Sequence, residues 1–106
     1  MKRNRSALLA ILLSVPAWFA ASAAFAVDEH PGRYVAANCT GCHGTQGRSV
    51  GGMPSLAGLD RAYILNAMEE FKSGTRAATI MQQHSKGYTE AQFELIADYF
   101  AAQKAR

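Results

Sequence analysis

The apolar positions fall into one unbroken run near the start and three shorter periodic segments beyond it. No charged residue occurs between Ser6 and Val27, and Ala7-Leu8-Leu9-Ala10-Ile11-Leu12-Leu13 forms a solid apolar block. After that block the spacing turns helical. His30-Pro31 opens a segment that continues through Gly32-Arg33-Tyr34-Val35-Ala36-Ala37-Asn38 into Cys39, with the proline near the first helical position, where its missing N–H costs nothing. Five glycines and Pro54 between Gly44 and Gly58 prevent any sustained period, which reads as a loop. Asp60 is placed to cap the next helix, on which Ile64, Met68 and Phe71 recur at i, i+4 and i+7, Leu65 widens the apolar face, and Ser73-Gly74 marks the stop. Ala77 to His84 is weakly patterned, helical or irregular, and a Lys86-Gly87 turn follows it. Thr89-Glu90-Ala91-Gln92 is a capping box that starts a last helix with the stripe Phe93, Ile96, Ala97 and Phe100. Period-two apolar runs are almost absent, so the predicted fold class is all-α, in a single small domain.

The first run has the form of a secretory signal. Lys2, Arg3 and Arg5 precede the apolar block, Pro16 interrupts the stretch, and Ala24-Phe25-Ala26 supplies an A-x-A cleavage pattern. Residues 1–26 are therefore expected to be a signal peptide and residues 27–106 the mature domain, exported to the periplasm. An uncleaved anchor is the alternative, since Ala7 to Ala26 is just long enough to span a bilayer. Its alanine-rich second half and Pro16 favour cleavage, which leaves no membrane span.

Charge looks informative until the chain is divided this way. The formal net charge of +3 comes from 11 Lys and Arg against eight Asp and Glu in 106 residues. All three basic residues of the leader leave with it, so the mature chain balances at eight against eight. A nucleic-acid-binding reading therefore loses its electrostatic basis. The remaining 80 residues would form a marginal core unaided, and small domains of that size usually need a staple.

Cys39-Thr40-Gly41-Cys42-His43 offers one. Two cysteines in an exported chain suggest a disulfide, and C-x-x-C suggests a thiol oxidoreductase, yet neither explains the histidine. C-x-x-C-H is the attachment pattern for c-type haem. Thiols one helical turn apart reach the two vinyl groups of one porphyrin and form two thioethers, while the next residue carries an imidazole under the iron. A thioredoxin-like site would need an alternating αβ pattern, which is missing. A zinc site would need another His or Cys pair, and His30 and His84 stand far apart.

With His43 on one axial position, the identity of the second ligand decides the chemistry. A thioether or imidazole closes the iron for electron transfer; an open or labile position would suit a haem sensor or a peroxidase-like enzyme. Met81 is the favoured candidate, because it follows Thr79-Ile80 in a weakly helical segment far enough along the chain to have crossed to the other face. His84 lies three residues on and shares its helical side. Met53 is only ten residues past His43, and Met68 sits on the apolar stripe as core filler, so these are the weaker candidates.

The mature chain resembles class I bacterial cytochromes c, particularly the cytochrome c4 group and the cytochrome subunit of flavocytochrome c sulfide dehydrogenase. The likeness rests on Gly32, Cys39 to Gly44, Met53-Pro54-Ser55-Leu56-Ala57-Gly58, Phe71-Lys72-Ser73-Gly74, Ile80-Met81 and Ala97 to Gln103. The resemblance implies a cytochrome c fold around one covalent haem c, with Cys39 and Cys42 as attachment points and His43 and Met81 as iron ligands. It also implies that the Pro54 carbonyl accepts a hydrogen bond from His43 and that Gly32 permits a close crossing of the first and last helices. Cytochrome c4 carries two haem domains, whereas this chain has one attachment motif. The implied function is electron transfer with a redox protein partner, either as the haem subunit of a flavoprotein sulfide dehydrogenase or as a freely diffusing shuttle. Lys72, Lys86 and Lys104 are too scattered to form a dense docking ring, so shape and apolar contact are expected to guide the encounter.

Overall fold

The computed structural model describes residues 30–105, and these carry helices and no strand. The expected signal peptide, residues 1–26, lies outside the described residues. The architecture is built around the last helix, α5 (Glu90–Ala101), because its sequence has both a strong start and a continuous apolar stripe. Thr89 caps it reciprocally: the Gln92 N–H donates to Thr89 Oγ1 at 3.2 Å, and the Thr89 N–H donates to Gln92 Oε1 at 3.0 Å. Phe93, Ile96, Ala97 and Phe100 are all buried, as the stripe requires. Each large apolar side chain so buried contributes roughly 1.5–3 kcal/mol before ordering costs are counted.

Two further helical layers pack on α5. The entry segment is not one uniform helix but three pieces: α1 (Gly32–Val35), a tighter 3-10 turn (Ala36–Cys39) and α2 (Thr40–His43). The tightening has a local cause. Thr40 turns both its N–H and its hydroxyl onto the Ala37 carbonyl three residues back, the hydroxyl at 2.7 Å, which draws the chain into i to i+3 geometry. Gly32 sits where α1 crosses α5. A β-carbon there would lie 2.0 Å from the Leu95 carbonyl oxygen and 3.0 Å from Tyr99 Cβ, so the two backbones meet as closely as glycine allows.

The third layer is α3 (Arg61–Ser73), capped by Asp60, whose carboxylate accepts the Tyr63 N–H at 3.1 Å, and ended by Gly74 in the left-handed region. Ile64 and Met68 are buried, and Leu65 and Phe71 partly so. Arg61 ties α3 to α5 through Glu94, at 3.0 Å, and Asp98. The weakly patterned stretch stays irregular as far as Ile80 and then forms α4 (Met81–Ser85), which packs on α3. Lys72 secures the turn after α4, donating to the Tyr88 carbonyl at 2.7 Å and to Glu90 at 3.0 Å.

The glycine-rich loop is ordered despite lacking a period. Leu56 and Ala57 both donate their N–H to the Gly47 carbonyl, and the Gly58 N–H donates to the Phe100 carbonyl at 2.9 Å. The chain leaving α2 is thus folded back onto α5, which brings Pro54 close to His43.

Candidate functional site

The helices and the loop enclose one side of an apolar cleft. Cys39, Cys42 and His43 reach it from the entry segment, Met53, Pro54, Leu56 and Leu59 from the loop, and Ile64, Ala67, Met68 and Phe71 from α3. Ile80, Met81 and His84 line it from the α4 region, and Ile96 from α5. Five separate stretches of sequence therefore supply one wall system, which only the tertiary fold brings together.

His43 is the most constrained polar group there. It is buried, and its Nδ1 lies 2.7 Å from the Pro54 carbonyl oxygen. A carbonyl only accepts, so Nδ1 carries the proton, and in the neutral ring Nε2 keeps a free lone pair. This hydrogen bond fixes both the tautomer and the rotation of the ring, and it strengthens Nε2 as a donor to a metal.

The cysteines differ in environment. Cys42 is exposed, whereas Cys39 is half-buried and burial pushes its thiol pKa up. A raised pKa keeps Cys39 as a neutral thiol rather than the low-pKa thiolate of a redox-active C-x-x-C pair. Among the described residues, no three His, Cys, Asp or Glu side chains converge on a metal-ion position.

The candidate second ligands all reach the cleft but in different settings. Met81 opens α4 and is partly buried, whereas His84 is exposed. Met68 is buried in the α3 stripe. Met53 is about half exposed and directly precedes the proline whose carbonyl holds His43.

Several lining residues escaped sequence reasoning. Tyr63, Ala67 and Leu59 flank the α3 stripe, and a wider helical-wheel count would have reached the first two. Nothing in the sequence marks Arg76, whose side chain runs back along α3: its guanidinium lies 5.5 Å from the Tyr63 ring centre and 5.2 Å from that of Phe71. It donates to the Tyr63 hydroxyl at 3.0 Å and to Glu70 at 3.3 Å. Those neighbours, Tyr63 foremost, push the Arg76 pKa further up.

A haem suits this donor set. Two thiols stand next to a buried imidazole with a free Nε2, the walls are aliphatic, aromatic and thioether groups, and no carboxylate lines the cleft. A flat apolar macrocycle with a soft, Lewis-acidic centre matches such walls and ligands.

Comparison with known proteins agrees. The cytochrome c family model matches residues 31–104. The cytochrome subunit of sulfide dehydrogenase from Chlorobaculum tepidum is 45% identical over 74 residues, covering 70% of this chain and 67% of that protein. Cytochrome c4 from Pseudomonas aeruginosa is 36% identical over 78 residues, covering 73% of this chain and 39% of the relative. The thiosulfate dehydrogenase electron acceptor of Stutzerimonas stutzeri is 32% identical over 69 residues, covering 63% and 32% respectively. The chain thus spans two thirds of the length of the first relative and between about a third and two fifths of the other two. With the C-x-x-C-H sequence, the all-helical wrap and this match over the described domain, the chain belongs to the cytochrome c family, whose cofactor is a covalently attached haem c.

Proposed function

We propose that this protein is a periplasmic one-electron carrier, exported by cleavage after Ala26, that serves as the haem subunit of a flavoprotein sulfide dehydrogenase. The observation that carries the reading is the convergence of Cys39, Cys42, Met81 and a His43 ring pinned by Pro54 on one apolar cleft. The bound haem supplies a reversible Fe(III)/Fe(II) couple. The chain's own residues do the rest. Cys39 and Cys42 would hold the macrocycle through thioethers, and His43, its ring fixed by Pro54, would offer Nε2 to the iron. Met81 would supply the second iron ligand, a choice supported by its being partly buried where His84 is exposed and by the tethering of Met53 next to Pro54, which holds His43. A soft thioether favours the reduced metal and raises the potential. Ile64, Met68, Phe71 and Ile96 keep water from the cleft wall, so little solvent must reorganise when charge changes.

No helix among the described residues is long and apolar enough to cross a membrane. Met53, Ile80 and Cys42 all line the cleft and are exposed, which gives it an apolar rim. An apolar rim of this kind suits a lasting, shape-led contact with a flavoprotein better than a salt-sensitive encounter. The Chlorobaculum relative, itself named as such a subunit, supports the assignment. A freely diffusing shuttle is the second reading, favoured by the relative described as an electron acceptor of thiosulfate dehydrogenase. Purifying the native protein from its periplasm separates the two. Co-elution with a flavin-containing polypeptide is expected, and recovery as a lone small haem protein would overturn the subunit assignment in favour of the shuttle.

A further inference from the structure

We propose that Ser55 is a positioning residue for His43: by accepting the Ser49 N–H it keeps the Pro54 carbonyl on the imidazole, and so lowers the reduction potential of the site. The inference rests on the haem-carrier reading and deepens it. Its starting point is that the carbonyl which fixes His43 sits on a slack piece of chain. Pro54 is exposed, as are Val50, Gly51, Gly52 and Met53 before it. A β-carbon on Gly51 or Gly52 would meet nothing within 4 Å, so no neighbour braces that side of the backbone, and glycine restricts φ and ψ least of all residues. Yet the Pro54 carbonyl oxygen is held 2.7 Å from His43 Nδ1, at the short end of the range for such a bond. The restraint has to come from the rest of the loop.

The base of the loop is anchored first. Gly47 is buried against Phe100, where a β-carbon would lie 2.7 Å from the ring, and its carbonyl accepts the Leu56 N–H at 2.8 Å and the Ala57 N–H at 3.1 Å. Arg48 Nε donates to the Lys104 carbonyl at 2.8 Å, which ties the same base to the chain beyond α5. These contacts hold residues 56 and 57 but stop short of the Pro54–Ser55 peptide, whose oxygen is the one His43 uses. Ser55 closes that gap: its Oγ accepts the Ser49 N–H at 3.0 Å. Among the described residues, no other hydrogen bond joins residues 48–53 to residues 54–57. Ser49 is itself held in a tight turn, its Oγ accepting the Gly51 N–H at 3.3 Å. The consequence is electronic. A carbonyl kept close to Nδ1–H gives the ring more imidazolate character, which favours ferric over ferrous iron, so letting it drift moves the potential upward. The Ser49–Ser55 bond is exposed, and water can replace it, so its loss leaves the fold nearly intact.

The test uses holoprotein and two readouts: the solvent-exchange rate of the His43 Nδ1 proton in the ferrous form, by nuclear magnetic resonance, and the reduction potential, by redox titration. Ser55→Ala is expected to speed the exchange several-fold and to raise the potential, and Ser55→Thr to restore both. Ser73→Ala, at an exposed serine that ends α3 and donates to the Glu70 carbonyl, should change neither. Should Ser55→Ala fail to mature, Ser55→Val compared with Ser55→Thr decides by the same readouts, because the two differ by one hydroxyl in nearly the same shape. Wild-type values of both readouts in the variant lacking the hydroxyl would overturn the proposal. A change in only one of them would overturn it as well, since the effect would then not run from Pro54 through His43 to the iron, and so would a change that Ser55→Thr does not reverse. Failure of the underlying reading looks different: wild-type protein would then carry no covalent haem and show no reversible one-electron couple at all.

Discussion

Replacing Gly32 by alanine should damage the fold far more than the same change at Gly41, the other glycine within the described α-helices. The new Cβ would sit 2.0 Å from the Leu95 carbonyl oxygen and 2.8 Å from its carbon, and both atoms are α5 backbone rather than a side chain that can rotate away. Restoring an ordinary contact of about 3.4 Å requires α1 and α5 to separate by more than 1 Å at their crossing, which loosens Ala36, Ala97 and Tyr99, all buried beside it. Overpacking of this sort costs about 1–3 kcal/mol, and a backbone clash belongs at the upper end. Alanine returns up to ~1 kcal/mol through its better helix propensity. The net loss is then on the order of 2 kcal/mol, or a fall in Tm of roughly 8–16 °C for a domain of this size. Thermal unfolding of the holoprotein by far-ultraviolet circular dichroism reads it directly. Gly41→Ala is the matched control, since a Cβ on that helical glycine meets nothing within 4 Å. If Gly32→Ala melts within a few degrees of wild type, the close helix crossing is not what holds the entry segment in place.

Three smaller perturbations follow from individual contacts. Thr89→Ala removes the hydroxyl of the capping box and should cost about 1 kcal/mol in denaturant unfolding, with Thr89→Ser restoring most of it. Arg61→Gln breaks a clamp to Glu94 and Asp98 that is exposed at all three residues, so only a small loss of stability is expected in denaturant unfolding, shrinking further at high salt. The Glu90 carboxyl is held below its ordinary pKa by its own helix-terminal N–H and then by Lys72. Its contribution is therefore present above the unfolded-state value, near 4.5, and disappears as pH falls through the lower folded-state value. Stability curves for wild type and Glu90→Gln should accordingly converge as the pH drops through the acid range, and a gap that persists at low pH would contradict this origin.

What the sequence discloses about this molecule is mostly local. The stripe Phe93, Ile96, Ala97, Phe100 and the caps at Asp60 and Thr89 are readable because each is a relation among residues within two or three turns of one helix. Cys39, Cys42 and His43 are readable for the same reason: the chemistry needs them adjacent. The break of the entry segment into α1, a 3-10 turn and α2 was hidden, because it depends on how Thr40 divides its donors over the Ala37 carbonyl. Arg76 was hidden by distance. Its contacts with Tyr63 span thirteen residues and arise only after the chain reverses at Gly74. The resemblance to bacterial cytochromes c anticipated the approach of Pro54 to His43, which spacing alone would not have shown, since it depends on Gly47 gathering Leu56 and Ala57 beneath the loop.

The most direct test of the account is the absorption spectrum of the oxidised holoprotein beside that of its Met81→Ala variant. The proposed His43 and Met81 ligation predicts a covalently bound, low-spin haem whose methionine-to-iron charge-transfer band is present in wild type and absent in the variant. A band that survives Met81→Ala would remove Met81 from the iron, and a wild-type protein with titratable thiols and no porphyrin would contradict the carrier itself.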